Sequence, residues 1–191
     1  MKYVFGTSSK WRQQFFDQFG FDYTVMPAEI DERAIRLDDP KELTVAIAKA
    51  KTDALLKIIT EPVILITFDQ VVVCNGLIYE KPKNEAELRR FWKSYRKYHA
   101  QTYSAVVATD SASGQQLSGV DVAGVYFKTL PNKVLLRVLG SDDAYTTSGG
   151  FMVNCPLTDP YIKKIEGTID SVMGIPMVLT QWLIQQLQLT D

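Results

Sequence analysis

The run ILITFDQVVVC, residues 64–74, is the most apolar stretch of the chain, and it carries a carboxylate, Asp69, and an amide, Gln70, between Phe68 and Val71. An uninterrupted apolar run of this length, rich in β-branched residues, predicts a central strand of an α/β sheet, covered on both faces. A carboxylate in such a strand costs several kcal/mol unless something compensates it. The compensator marks the functional site.

On the N-terminal side, residues 39–59 predict a helix with Asp39 as N-cap, Pro40 at the first helical position and Glu42 three residues after the cap. Its expected apolar stripe is Leu43, Ile47, Ala50, Ala54 and Ile58, while Lys49, Asp53 and Lys57 share an outward stripe. Lys51 falls on the inward side, where the ordinary reading is a boundary residue whose stem snorkels to water. After the central strand, Asn75-Gly76 signals a hairpin into a short strand. A third helix starts at the cap Asn84, with Glu87 completing a capping box.

Toward the ends, KYVFGTSS (2–9) reads as a strand entering a small-residue loop, and Ser9 caps a helix that runs to Gly20. FDYTVMPAEID (21–31) reads as extended. TYSAVVATD (102–110) and GVDVAGVYFKTL (119–130) form a hairpin around SASGQQ. PNKVLLRVLG (131–140) and DPYIKKI (159–165) are expected as short helices, with a glycine-bearing turn at TTSGGFMVN (146–154) and an amphipathic helix at PMVLTQWLIQQLQL (176–189). Alternation of strands and helices gives an α/β protein, expected as a single domain over 1–191.

Composition narrows the chemistry. The 191 residues are 46% apolar and 23% charged, the balance of a globular protein rather than a disordered one. A net charge of −1 provides no broad basic field, and the one basic-aromatic cluster, LRRFWKSYRKYH (88–99), reads as an amphipathic helix and its exit, so nucleic acid is not an expected partner. Cys74 and Cys155 have no C-x-x-C spacing and His99 is the single histidine, which argues against a cysteine/histidine zinc centre and a Ser-His-Asp triad. The N-terminal residues lack a signal-peptide apolar region and no run is long enough to span a bilayer, so a cytoplasmic protein with reduced cysteines and no membrane partner is expected.

The polar residues divide into three sets. GTSS (6–9), between a strand and a helix, is either an ordinary loop or an anion-binding helix start, and it is not a P-loop. Arg12 on the first turn is either solvated or a guanidinium fork for an anion, and Trp11 is either core or a stacking platform. Glu29, Asp31 and Glu32, with Glu80, Lys81 and Asp69, supply carboxylates for a hard cation and an ammonium for phosphate oxygens. Carboxylates, cations and an N–H loop without a catalytic histidine suit metal-assisted phosphoanhydride hydrolysis better than acyl transfer.

Taken in order, GTSSKWR (6–12), DER (31–33), AKAK (48–51), TFDQVVV (67–73), YEKP (79–82), SGGF (148–151) and EGTIDSVMGIP (166–176) resemble the Maf-type nucleoside triphosphate pyrophosphatases almost end to end. The resemblance implies a long twisted mixed sheet flanked by helices, similar to ITP pyrophosphatases, with two lobes around a cleft. It implies hydrolysis of a nucleoside triphosphate between its α and β phosphates. Asp69 would be the general base and share Mg²⁺ or Mn²⁺ with Glu32; Lys81 would belong to the catalytic set; Thr7, Ser8, Ser9, Arg12, Lys51 and Lys81 would hold the triphosphate.

Three variable positions, Trp11, Gln70 and Asn154, would choose the base. Trp11 and Gln70 match the subgroup that prefers 7-methyl-GTP, whereas Asn154 stands where that subgroup has glutamate and suits a pyrimidine edge equally. The expected substrate is therefore 7-methyl-GTP, the alternatives being dTTP or UTP, or a non-catalytic nucleotide-binding role in cell division. Lys10 replaces the proline usual in this pattern. A homodimer is compatible with the resemblance.

Overall fold

The computed structural model describes residues 2–17 and 22–189, with the side chains of Lys10, Trp11 and Gln14 outside the described set. In chain order the elements are β1 (Lys2–Gly6), α1 (Lys10–Phe16), β2 (Tyr23–Val25), α2 (Pro40–Leu56), β3 (Val63–Cys74), β4 (Leu77–Tyr79), α3 (Glu85–Tyr95), β5 (Ala100–Asp110), β6 (Gln116–Phe127), α4 (Asn132–Leu139), α5 (Asp142–Thr146), β7 (Ile162–Glu166), α6 (Ile169–Val172) and α7 (Met177–Gln188). The strands form one sheet in the order β2-β1-β3-β5-β6-β7, with β4 paired to β3. It is mixed: β2, β1 and β3 run parallel, while β4 on β3 and β7 on β6 are antiparallel. The parallel pairs require crossovers, and α1 and α2 supply them.

The chain divides into two compact units, the first built from the residues up to Asp69, Ser104–Asp121 and the residues from Gly174 on, the second from Gln70–Tyr103 and Val122–Met173. In the first unit β3 is the buried strand expected from its composition, with Ile64, Leu65, Ile66 and Phe68 all buried. Helix α2 has the expected cap: Asp39 accepts from the N–H groups of Lys41 and Glu42 at 2.8 and 2.9 Å. Ser9 caps α1 by accepting from the Arg12 N–H at 3.4 Å, and the Phe16 ring stacks on Phe5 at 3.9 Å. The expected end of that helix at Gly20 lies outside the described residues.

In the second unit, Asn75 and Gly76 both adopt positive φ, 51° and 74°, the paired left-handed conformation of the predicted hairpin turn. Helix α3 starts on Asn84, whose side chain accepts from the Glu87 N–H at 3.0 Å. It presses Leu88, Phe91, Trp92 and Tyr95 into a core shared with Phe127 and Phe151.

Three expectations are corrected. The segment at 159–165 is not a helix: Asp159–Tyr161 makes one 3-10 turn, and Ile162–Glu166 then pairs with β6. The edge of the sheet captured a segment whose Pro160 is equally at home starting a turn. The extended piece at 21–31 narrows to the three residues of β2. Helix α2 buries Leu43, Thr44, Ile47, Ala48, Thr52 and Leu55, and Ile58, beyond its end, is 61% exposed. Two threonines on the buried face disguised it, because their hydroxyls are satisfied locally and do not require water. The short helices α5 and α6 were not anticipated.

Among the described residues, no helix is long and apolar enough to cross a membrane.

Candidate active site

Asp69 is 6% exposed and has five strand residues beyond it, so its carboxylate is buried mid-strand. The compensating charge is on α2. The Lys51 ammonium lies 2.9 Å from Asp69 Oδ1, 2.8 Å from Glu32 Oε1 and 3.2 Å from the Phe68 carbonyl. An ammonium has three protons, and three oxygens take them. Lys51 therefore does not snorkel; its side chain, 12% exposed, lies against the strand, and any phosphate oxygen it bound would displace one of these partners.

Glu32 reaches this point from a 3-10 turn, Glu32–Ala34, whose cap Asp31 accepts from the Arg33 N–H at 3.0 Å. That turn spends Asp31 on structure and leaves Glu32 to face Lys51. Arg12, on the first turn of α1, places its guanidinium over the Phe68 ring at 5.5 Å. Burial lowers its pKa, while the fields of Asp69 and Glu32 pull the other way. Asp69 shows the opposite balance: burial raises its pKa, Lys51 opposes through charge and hydrogen bond, Glu32 raises it further and Arg12 lowers it. The result is a carboxylate above its ordinary range with cations on hand, a group suited to accepting a proton.

The loop before α1 is largely spent on itself. Thr7 is buried, its Oγ1 accepts from the Ser9 N–H at 3.1 Å, and Ser9 Oγ is the helix cap, leaving Ser8 exposed. Arg12, Glu32, Lys51 and Asp69 are thus brought together within the first unit, next to the Thr7–Ser9 loop.

Gln70, Lys81 and Asn154 belong to the second unit. Gln70 donates its side-chain amide to the carbonyls of Val172 and Ser171, at 2.9 and 3.3 Å, and its own carbonyl accepts from Ser148 Oγ at 3.0 Å. Lys81 is exposed, and the neighbouring Glu80 carbonyl accepts from the Gly149 N–H at 3.0 Å. Asn154 is exposed with φ 59°, a left-handed backbone that asparagine tolerates better than glutamate. The Trp11 side chain lies outside the described residues.

The sequence reading missed the clamp on the SGGF turn. Tyr95 Oη donates to the Gly149 carbonyl at 2.8 Å and Trp92 Nε1 to the Gly150 carbonyl at 3.2 Å. The turn so held is the one that ties the backbone at Glu80 and Gln70. Both glycines have positive φ, 74° and 66°, and a Cβ at Gly149 would come within 2.7 Å of Val72 Cγ2. The available signal was the pair of aromatics with polar handles on the inner face of α3.

A family model described as Maf-like protein matches residues 2–187. The chain belongs to the Maf family. A 7-methyl-GTP pyrophosphatase of Dictyostelium discoideum is 36% identical to this Maf protein over 190 residues, 96% of this chain and 95% of the relative. A dTTP/UTP pyrophosphatase of Vibrio vulnificus is 26% identical, covering 97% of this chain and 98% of that protein. Among solved structures, the Staphylococcus aureus Ham1 protein aligns with a TM-score of 0.58 at 13% identity, over 97% of this chain and 100% of that one, which shows the α/β fold the two share.

Proposed function

We propose that this Maf protein is a nucleoside triphosphate pyrophosphatase that cleaves between the α and β phosphates, with 7-methyl-GTP as its substrate. The observation that carries the reading is the buried Asp69 carboxylate held by Lys51 with Glu32 at the same ammonium, 2.9 and 2.8 Å away. Family membership and the 36% identity to a 7-methyl-GTP pyrophosphatase support the reaction and the base.

Asp69 takes the proton of the attacking water. Burial raises its pKa, which makes it a stronger proton acceptor than an ordinary carboxylate, and Lys51 fixes its direction. Arg12 and Lys81 contribute positive charge to the triphosphate, the part of phosphoryl-type transfer that proteins supply through positioning.

Among the described residues no group of three His, Cys, Asp or Glu side chains converges. Two carboxylates converge on one ammonium, however, and Mg²⁺ typically takes one or two carboxylates plus waters and substrate phosphates. Asp69 and Glu32 therefore fit Mg²⁺ or Mn²⁺ delivered with the nucleotide. When bound, the cation neutralises phosphate charge and polarises the phosphoryl oxygens.

The base preference rests on Trp11. N7-methylation makes guanine cationic, and an indole face attracts a stacked cation by roughly 0.5–2 kcal/mol. A second reading, dTTP or UTP, is favoured by Asn154, whose amide offers a pyrimidine edge both a donor and an acceptor. Pyrophosphate release from 7-methyl-GTP, GTP, dTTP and UTP with Mg²⁺ separates them: 7-methyl-GTP should have the highest kcat/KM, with Trp11→Ala lowering it about tenfold. A pyrimidine nucleotide in first place would replace the substrate assignment.

A further inference from the structure

The Lys51–Asp69 contact exists because α2 lies along β3, and its length depends on how far along the strand the helix sits. Alternate residues of β3 share a face, which places Val63, Leu65, Thr67 and Asp69 in one row. Leu55 packs in one cluster with Val63 and Leu65. Thr52 Oγ1 meets Thr67 Oγ1 at 2.8 Å, and Lys51 meets Asp69 at 2.9 Å. The apolar rung tolerates sliding. The hydroxyl rung does not.

Its proton count is closed. Thr67 Oγ1 donates to the Ala48 carbonyl at 2.8 Å, so the single Thr52 proton is left for Thr67 Oγ1 or, at 3.2 Å, for the same Ala48 carbonyl. Both threonines are fully buried, so moving α2 by one residue, about 1.5 Å, would carry Thr52 and the Ala48 carbonyl away together and leave the Thr67 hydroxyl without those partners in a dry core. Gly6 closes the third side: a Cβ there would stand 2.7 Å from both Thr67 Cγ2 and Leu55 Cδ1, so the β1 backbone presses on this rung. Valine at either position would fill similar space without the hydroxyl. The rung sits one residue from Lys51 and two from Asp69.

We propose that the Thr52–Thr67 hydroxyl pair is a positioning device that sets the reach of Lys51 to Asp69 and thereby the rate of the hydrolytic step. The kinetic consequence rests on Asp69 being the catalytic base; the geometric one does not. Thr67→Val and Thr52→Val each lower kcat for 7-methyl-GTP about ten- to a hundredfold while KM stays within about twofold, and Thr67→Ser, which keeps the hydroxyl, recovers the wild-type kcat. Folded valine variants with unchanged kcat, or a serine variant as slow as the valine one, overturn the proposal. If Thr67→Val does not fold, Thr52→Val carries the same expectation. If the wild-type protein cleaves no triphosphate, the functional reading fails and crystal structures decide the positioning claim: the Lys51–Asp69 separation opens beyond about 3.5 Å in a valine variant, and a retained contact at the wild-type distance overturns it.

Discussion

Lys51 Nζ and Asp69 Oδ1 stand 2.9 Å apart with side-chain exposures of 12% and 9%, a largely desolvated ion pair linking helix α2 to the central strand. Such a pair adds little net stability over an apolar pair of the same shape, because both charges leave water, but losing one member strands the other. The pairing answers the question posed by an acid in an apolar strand: the ammonium beside it makes the burial tolerable.

Lys51→Met should therefore destabilise the fold by about 3–5 kcal/mol at neutral pH, measured by urea denaturation. Lys51→Met combined with Asp69→Asn should recover most of that loss, giving a coupling energy above about 1 kcal/mol in a double-mutant cycle. Additive effects would show that the two side chains do not interact in solution.

Gly149→Ala tests the clamp on the SGGF turn. The left-handed φ of 74° and the approach to Val72 Cγ2 at 2.7 Å and Tyr95 Oη at 2.9 Å together should cost about 2–5 kcal/mol. Gly114→Ala is the control: its φ is 76° but nothing lies within 4 Å, so about 1–2 kcal/mol is expected. Equal losses in thermal denaturation would show that only backbone conformation matters at Gly149.

Much of the architecture could be read along the chain because it is local. Caps at Ser9, Asp39 and Asn84 act within four residues, the turn at Asn75-Gly76 needs only two positive φ angles, and β3 is announced by its own composition. The inward placement of Lys51 was legible from spacing, though its partner was not. What escaped depends on residues distant in sequence. The Trp92 and Tyr95 donors to Gly150 and Gly149 join positions more than fifty residues apart, and the threonine rung joins a helix to a strand through groups that look polar on paper. The segment after Pro160 was misread because its strand pairing is decided by β6, not by its own propensity.

The two cysteines should differ in reactivity. Burial pushes the Cys74 thiol up to about 11, so it is almost wholly protonated at pH 8, while Cys155 is half-buried. Native protein treated with a chromogenic disulfide reagent at pH 8 should show one fast thiol from Cys155 and a second only after denaturation. Two fast thiols would mean that the core around Cys74 opens readily.

The most direct test of the central claim is steady-state pyrophosphate release from 7-methyl-GTP with Mg²⁺, wild type against Asp69→Asn. The near-isosteric amide cannot take a proton from water, so kcat should fall by about 10²- to 10⁴-fold while cooperative unfolding is retained. Turnover by a folded Asp69→Asn variant within a few-fold of wild type would contradict the assignment of Asp69 as the base.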